Sequence, residues 1–185
     1  MLSRRRLIGI SLALPALTLP LARIAHAQTR ALTCGEITPP QTEGPFFKTN
    51  TPQRITLIEP GTKAPKLAVV GRVLSRDCQP VKGVLLDFWH ADEHGEYDNR
   101  GFRYRGHQFT DADGRYRLET IVPAEYPGRA RHIHVKVQPP GGRILTTQLY
   151  FPDQPGNARD GLFRQDLVME MKERSQGAFD FVVGA

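Results

Sequence analysis

The sequence contains no internal repeat, no low-complexity segment and no long hydrophobic run after its first residues. Because no stop-transfer segment follows the first apolar run, we expect no membrane anchor. Histidine is also scarce, with six residues in the whole chain. A site crowded with imidazoles is therefore excluded, and any metal centre must recruit other ligands.

Residues 1–27 have the features of an export signal. They combine a basic start, a short apolar run and the small-x-small ending Ala25-His26-Ala27. The stretch "SRRRLI" also fits a twin-arginine signal, which exports proteins already folded, and an ordinary secretory signal is the alternative. Cleavage after Ala27 would remove four arginines and no acidic residue, so the formal charge falls from +6 to +2. The mature chain is then nearly neutral, and we expect no nucleic-acid partner.

The rest of the chain, residues 28–185, has the length of one ordinary domain with a proper core. It contains two cysteines, Cys34 and Cys78. In an oxidising compartment they could form a disulfide between the N-terminal arm and the body, and two unpaired thiols are the alternative.

Short apolar or alternating runs between Gly, Pro and Asp breakers predict an all-β domain. We expect an antiparallel sandwich or barrel, with long loops and at most one short helix. A Pro- and Thr-rich arm, 38–53, should wrap the surface as loop, 162–174 is the helical candidate, and 178–183 should return as a last edge strand. The runs that predict the other strands are 54–58, 66–74, 83–90, 115–122, 132–137 and 143–151.

The stretch "EYPGRARHIHVKV" carries two histidines two residues apart on a predicted strand. Side chains alternate across a strand, so Ile133 and Val135 point one way while His132 and His134 point the other. Two imidazoles at this spacing can share one metal ion. The alternative from the pair alone is two surface histidines.

The remaining histidines outside the signal are His90, His94 and His107. We expect them to lie in loops or to support a site without binding the metal themselves. Tyr126 lies just upstream of the pair, and Tyr97 ends another predicted strand. A phenol, with its pKa near 10, ligates well only where a hard and highly charged metal removes its proton. Ferric iron fits: two tyrosinates and a hydroxide balance its charge, and two neutral imidazoles complete five coordination.

These residues carry a family resemblance. The segments "DFWHADEHGEYDN", "YRGHQFTDADGRYRLETIVPAEYPGRARHIHVKV" and "TTQLYF", with "TEGPFF" and "CQPVKG" upstream, resemble the catalytic domain of the intradiol ring-cleavage dioxygenases, the protocatechuate and catechol dioxygenase family. The match runs from about Glu43 to Phe151. Because the long helical N-terminal region of the catechol-type enzymes is missing, the resemblance favours the protocatechuate-like or exported branch.

The resemblance implies an antiparallel β-sandwich of the prealbumin-like kind and a non-haem Fe(III) cofactor. It also implies a catechol-type aromatic substrate that is cleaved with O2 to a muconate-type diacid. It implies four metal ligands: Tyr97 and His132 as equatorial ligands, and Tyr126 and His134 as axial ones. Substrate binding would displace hydroxide and Tyr126, which would act as bases for the two substrate protons.

The resemblance implies two further catalytic residues. Arg129 would stabilise the carbanion-like ring that O2 attacks, and Gln148 would hold the same region by hydrogen bonding.

Three other interpretations compete. His90 and Asp92 fit part of a facial triad for Fe(II). The "HIH" strand resembles that of copper-zinc superoxide dismutases. The strand-and-turn pattern also fits a non-catalytic prealbumin-like binding module, which would leave the tyrosines and histidines unexplained.

The sequence does not identify the ring substituents of the substrate. A carboxylated ring would suit a nearby cation, for which Arg100, Arg103 and Arg105 are candidates. Oligomeric state is open, and a homo-oligomer is compatible with the sequence.

Overall fold

The computed structural model describes residues 35–184. The expected signal, 1–27, and Cys34 lie outside the described residues. Cys78 is disulfide-bonded. No helix in this part of the chain is long and apolar enough to cross a membrane.

Residues 35–184 form nine strands in two sheets, which confirms the predicted all-β sandwich. The strands are β1 (Lys66–Ser75), β2 (Leu85–Trp89), β3 (Arg105–Phe109), β4 (Arg115–Ile121), β5 (His132–Gln138), β6 (Leu145–Tyr150), β7 (Glu170–Glu173), β8 (Gln176–Ala178) and β9 (Phe181–Val183). One sheet has the antiparallel order β3-β2-β5-β6. The other has the order β4-β1-β8-β7, with β9 also paired with β1, and both β8 and β9 run parallel to β1.

Alternation of side chains along the strands builds the core between the sheets. On β1, Val69 and Val73 are fully buried, and on β5, Ile133, Val135 and Val137 are fully buried. Because neighbouring side chains point to opposite faces, the outward face of β5 carries His132 and His134. The same alternation that buries the apolar side chains of β5 in the core therefore directs both histidines away from the core.

The C-terminal region differs from the prediction. The helical candidate, 162–174, contains only a 3-10 turn, Gln165–Leu167, before β7 begins. Leu167, Val168 and Met169 are buried in succession, and Val168 forms a β-bridge with Tyr150. Pairing with the sheet thus outweighs the local helical pattern in a segment too short to form a stable helix alone.

Two further differences concern strands. The run 54–58 forms only an isolated bridge at Thr56 rather than a strand. Conversely, β3 was not expected, because Arg105–Phe109 lacks an apolar alternation. Hydrogen bonding to β2 stabilises this segment as a strand, although its local sequence pattern does not predict one.

The arm 38–53 wraps the β3-β2-β5-β6 sheet as loop, as predicted. Its Gln41 N–H donates to Thr146 O at 2.8 Å, and its Thr51 Oγ1 donates to Asp87 Oδ1 at 2.8 Å. Lys136 of β5 forms an ion pair with Glu43 of the arm. The arm therefore covers the face on which the histidines lie.

Candidate metal centre

The two histidines of β5 are buried rather than exposed, with 4% and 2% of their surface accessible. The surface-pair alternative is therefore wrong. Their Nε2 atoms lie 3.1 Å apart. The Nδ1 of His132 donates to Ala130 O at 2.6 Å, since a carbonyl can only accept, and this directs the Nε2 lone pair of the neutral ring toward His134.

Burial keeps both rings neutral. Desolvation lowers the pKa of His132 to about 4 and lowers the pKa of His134 well below its ordinary value. A neutral imidazole with a free Nε2 lone pair is the form that binds a metal. The pair is thus in a ligating form at neutral pH.

Strand register sets the neighbours of His134. Trp89 on β2 and Gln148 on β6 lie directly opposite it and share its face. The indole stacks on the imidazole with ring centres 4.8 Å apart and planes 6° from parallel. The indole therefore forms part of the wall of the site beside His134.

Tyr97 reaches the site from the loop after β2. Its hydroxyl lies 3.4 Å from His132 Nε2. Phe46 of the arm stacks on the phenol at 4.3 Å between ring centres. Burial raises the pKa of Tyr97, so its ionisation needs a strong positive charge close by.

Tyr126 approaches from the loop between β4 and β5, where it forms a β-bridge with Arg129. Its ring centre lies 6.0 Å from that of Tyr97 and 6.2 Å from that of His132. A cleft of about 370 Å³ opens beside it, lined also by Arg129, Arg159 and Asp160. Tyr126 thus adjoins a space large enough for a small molecule, and Tyr97 lines a second cleft of about 310 Å³.

A glycine lets the two tyrosine loops approach each other. Gly95 has φ +83°, and a Cβ there would lie 2.4 Å from Glu125 O, next to Tyr126. Asp92 shapes the same turn, because its Oδ1 accepts the N–H groups of His94 and Glu96. The turn before Tyr97 therefore packs directly on the backbone before Tyr126.

This donor set fits a metal ion. Two ligand atoms, each about 2.1 Å from a first-row metal and about 90° apart, lie about 3 Å from each other. The contacts of His132 Nε2 with His134 Nε2 and with the Tyr97 hydroxyl have this spacing. In residues 35–184, no group of three His, Cys, Asp or Glu side chains could hold a metal. A metal at this position would therefore require the tyrosines.

Arg129 and Gln148 belong to one buried network beside the histidines. Arg129 Nη2 donates to Gln148 Oε1 at 2.6 Å, and its Nε donates to both oxygens of Asp160 at 3.0 and 3.1 Å. The hydroxyl of Tyr150 donates to Gln148 Oε1 at 2.9 Å. The two residues expected to act together are thus in direct contact.

Asp160 is a site residue that the sequence did not indicate. Burial raises its pKa, but hydrogen bonds from Leu162 N–H, Ala130 N–H and Arg129 outweigh that effect and leave the pKa below its usual value. It is a permanent anion that fixes Arg129. It lies in an irregular loop, where no periodicity marks it.

The facial triad does not form. Both ring nitrogens of His90 have partners: Nδ1 lies 2.7 Å from Ala91 O, and Nε2 lies 2.6 Å from Thr120 Oγ1. Asp92 caps its own turn. His90 is therefore a satisfied buried residue, in keeping with the expected supporting role.

The three candidate cations for a ring carboxylate do not line the cleft beside Tyr126. Arg100 and Arg103 line a different cleft of about 310 Å³. Arg105 is buried, with 1% of its surface exposed. The cation on the wall of the Tyr126 cleft that the sequence did not suggest is Arg159.

Comparison with known proteins places this site in context. A family model described as Dioxygenase matches residues 42–183. The chain is 35% identical over 117 residues to the beta chain of protocatechuate 3,4-dioxygenase from Burkholderia cepacia, covering 54% of this chain and 50% of that one. It is 30% identical over 158 residues to chlorocatechol 1,2-dioxygenase from Cupriavidus pinatubonensis, covering 70% and 57%. The chain thus spans about half the length of the curated relatives it matches.

One solved structure matches a larger share of this chain. The dioxygenase domain of a dioxygenase carbohydrate-binding protein fusion from the cellulolytic bacterium Streptomyces sp. SirexAA-E is 53% identical, with a TM-score of 0.78, and the match covers 80% of this chain and 98% of that one. The copper-zinc dismutase and binding-module alternatives find no support in these matches. Since the family model covers most of the chain, the chain belongs to the intradiol ring-cleavage dioxygenase family.

Proposed function

We propose that this protein is a non-haem Fe(III)-dependent intradiol dioxygenase. It would open the ring of a catechol-type substrate with O2 between the two hydroxyl-bearing carbons, giving a muconate-type diacid. The observation that carries the proposal is the cluster of two phenols and two neutral imidazoles, whose neighbouring ring centres lie 4.7 to 6.2 Å apart. Phenolate ligands suit a hard trivalent cation better than zinc or copper.

When bound, ferric iron would draw electron density from a chelated catechol and so make the ring reactive toward O2. The protein would supply the rest. His132 and His134 hold the metal with neutral imidazoles, and Tyr97 holds it with a phenolate enclosed by Phe46.

Tyr126 adjoins the cleft, so we assign its phenolate oxygen as the base that takes one proton from a catechol hydroxyl. Arg129 is held in place by Asp160 and keeps a fixed positive charge beside the ring, where it stabilises negative charge that develops during attack by O2. Gln148 accepts from Arg129 and donates to Thr42 O at 2.9 Å, which fixes the guanidinium against the arm.

The substrate class follows from the relatives. Their names specify protocatechuate, chlorocatechol, catechol and hydroxyquinol, all rings with adjacent hydroxyls. We propose the shared catechol unit as the substrate of this chain. The ring substituents are a separate question, which a substrate panel would answer.

The test combines metal, colour and product. The purified protein should contain about one iron per chain and be red-brown, because tyrosinate-to-iron charge transfer absorbs visible light. Its product from catechol should be a muconate. A colourless protein loaded with zinc or copper, or a yellow semialdehyde as the main product, would contradict the proposal.

We also propose that the protein is exported by the twin-arginine route. The support is the "SRRRLI" stretch, followed by an apolar run and Ala25-His26-Ala27. Export in the folded state would suit a metal site that is assembled before the protein leaves the cytoplasm.

A further inference from the structure

A buried cation without an anionic partner lies behind the candidate site. Arg105, on β3, is 1% exposed. No ion pair among residues 35–184 includes it, and its Nη2 has no hydrogen-bond partner among them. A buried charge is costly unless it is paired, so this guanidinium needs an anion.

The nearby carboxylate is already engaged elsewhere. Both oxygens of Asp98 accept backbone N–H groups of its own loop: Oδ1 from Arg100 and Gly101 at 2.9 and 2.8 Å, and Oδ2 from Arg103 at 3.0 Å. Arg105 instead contacts the main chain of the same residue, where its Nε donates to Asp98 O at 3.1 Å. The carboxylate of Asp98 is therefore occupied in ordering the loop.

The contacts of Arg105 flank Tyr97 on two sides. Asp98, whose carbonyl accepts from Nε, directly follows Tyr97 in the chain. Phe46, whose carbonyl accepts from Nη1, stacks its ring on the Tyr97 phenol at 4.3 Å. The guanidinium carbon lies 5.9 Å from the centre of the Tyr97 ring. One side chain thus ties both the arm and the loop to this tyrosine and brings a positive charge to its ring.

We infer that Arg105 is a positioning residue for Tyr97: its side chain ties the arm to the Tyr97 loop and holds a fixed positive charge 5.9 Å from the centre of the Tyr97 ring. The inference rests on the proposed function. When a metal occupies the site, this charge would stabilise negative charge on the Tyr97 ligand.

Two measurable effects follow. A positive charge beside a phenolate lowers the energy of its electrons, so removing that charge should shift the charge-transfer band to longer wavelength. Groups that support metal ligands contribute about 10- to 100-fold in metal affinity. Loss of Arg105 should therefore weaken iron binding by about that factor.

The experiment uses the iron-loaded protein and three variants. Arg105→Gln retains amide donors for the two carbonyls but removes the charge, and Arg105→Lys retains the charge. Arg54→Gln is the matched control, because Arg54 donates to Arg105 O at 3.0 Å and to Phe102 O in the same region without contacting Tyr97. Iron affinity is measured by competition with a chelator, together with the absorption spectrum and the thermal midpoint of the metal-free protein.

We expect a red-shifted band and about 10- to 100-fold weaker iron binding for Arg105→Gln alone. Arg105→Lys and Arg54→Gln should keep the wild-type band. An unshifted band in folded Arg105→Gln, or an equal shift in Arg54→Gln, would overturn the inference.

If Arg105→Gln does not fold, Arg105→Lys decides the matter: a wild-type band position supports the role of the charge, and a red shift refutes it. A colourless wild-type protein would contradict the proposed function instead, so the two failures are distinguishable.

Discussion

The four candidate ligands differ in how firmly the fold holds them. His132 and His134 are fixed by a central strand, and the β5 neighbours on both sides are paired along its length. Tyr97 is enclosed by Phe46 and a capped loop. Tyr126 lies on the β4–β5 loop beside the cleft that Arg129, Arg159 and Asp160 also line, and we propose it as the ligand that changes partners.

Because of this difference, we expect the two tyrosine-to-phenylalanine variants to differ in colour and turnover. Tyr126→Phe should retain some iron and colour but lose most turnover, because three protein ligands remain while the base is lost. Tyr97→Phe should alter the colour in both the resting protein and the substrate complex, since Tyr97 keeps its place in both. Absorption spectra with and without catechol, combined with turnover rates, measure both effects.

Wild-type turnover by Tyr126→Phe would show that its assigned role is wrong. His132→Ala provides the reference for a fixed ligand: it should lose iron outright, because a permanent imidazole is removed.

His90 predicts a pH dependence that does not involve the metal ligands. Burial lowers its pKa from 6.5 to about 4. Its pKa is lower in the folded state than in the unfolded state, so its contribution to stability is present above pH 6.5 and is lost as pH falls toward 4.

The test compares metal-free wild type with His90→Gln by denaturant unfolding at several pH values. Between pH 6.5 and 4, the slope of unfolding free energy against pH should be smaller in the variant by about 1.4 kcal/mol per pH unit, the contribution of one proton. His94→Gln, at an exposed position, is the control for the substitution itself. An unchanged slope in His90→Gln would show that His90 titrates normally in the folded protein.

At the level of elements, alternation in sequence predicted β1, β2, β4, β5 and β6, because each has an apolar face in the core. It also predicted that His132 and His134 share a face. It did not predict β3, whose order comes from pairing with β2, or β7, which replaces a helical pattern. The structure of those two segments depends on pairing with distant strands, which the local sequence pattern does not indicate.

The contact between the tyrosine loops makes Gly95 a sensitive position. Gly95→Ala would introduce both strain at φ +83° and a 2.4 Å contact with Glu125 O. We expect the two tyrosines to separate, with weaker iron binding in addition to the destabilisation of about 1 kcal/mol or more from the backbone strain.

Gly61→Ala is the matched control. Gly61 has φ +81° and no atom within 4 Å of an added Cβ, so it introduces the strain without the clash. It should lower the thermal midpoint and leave the iron content and spectrum unchanged. Equal iron contents in the two variants would show that the loop contact does not position the ligands.

On the scale of the whole molecule, the site is assembled from segments far apart in sequence. The arm supplies Phe46, and a late loop supplies Asp160, which bonds Arg129 from 31 residues away. The ligand types could be predicted because their chemistry is specific. The role inferred for Arg105, which the sequence suggested only as a cation for a ring carboxylate, and the part played by Asp160 could not be predicted, because both depend on contacts that folding creates.

If the protein is exported as proposed, assembly of the whole site in the cytoplasm has a chemical advantage. Copper and zinc bind nitrogen and oxygen ligands more tightly than ferrous iron does, so a site filled after export would compete with them. A folded, iron-loaded protein needs a route that accepts folded cargo. The paired arginines before the apolar run predict that route.

The double variant Arg4→Lys/Arg5→Lys tests this expectation while keeping the charge of the segment. Folded, iron-loaded precursor should accumulate in the cytoplasm, and little mature protein should appear outside it. Arg23→Lys, a charge-conserving change away from the paired arginines, should be exported normally. Fractionation with immunodetection and measurement of bound iron would follow both. Undiminished export of the double variant would point to the general secretory route, and the metal would then have to be acquired after export.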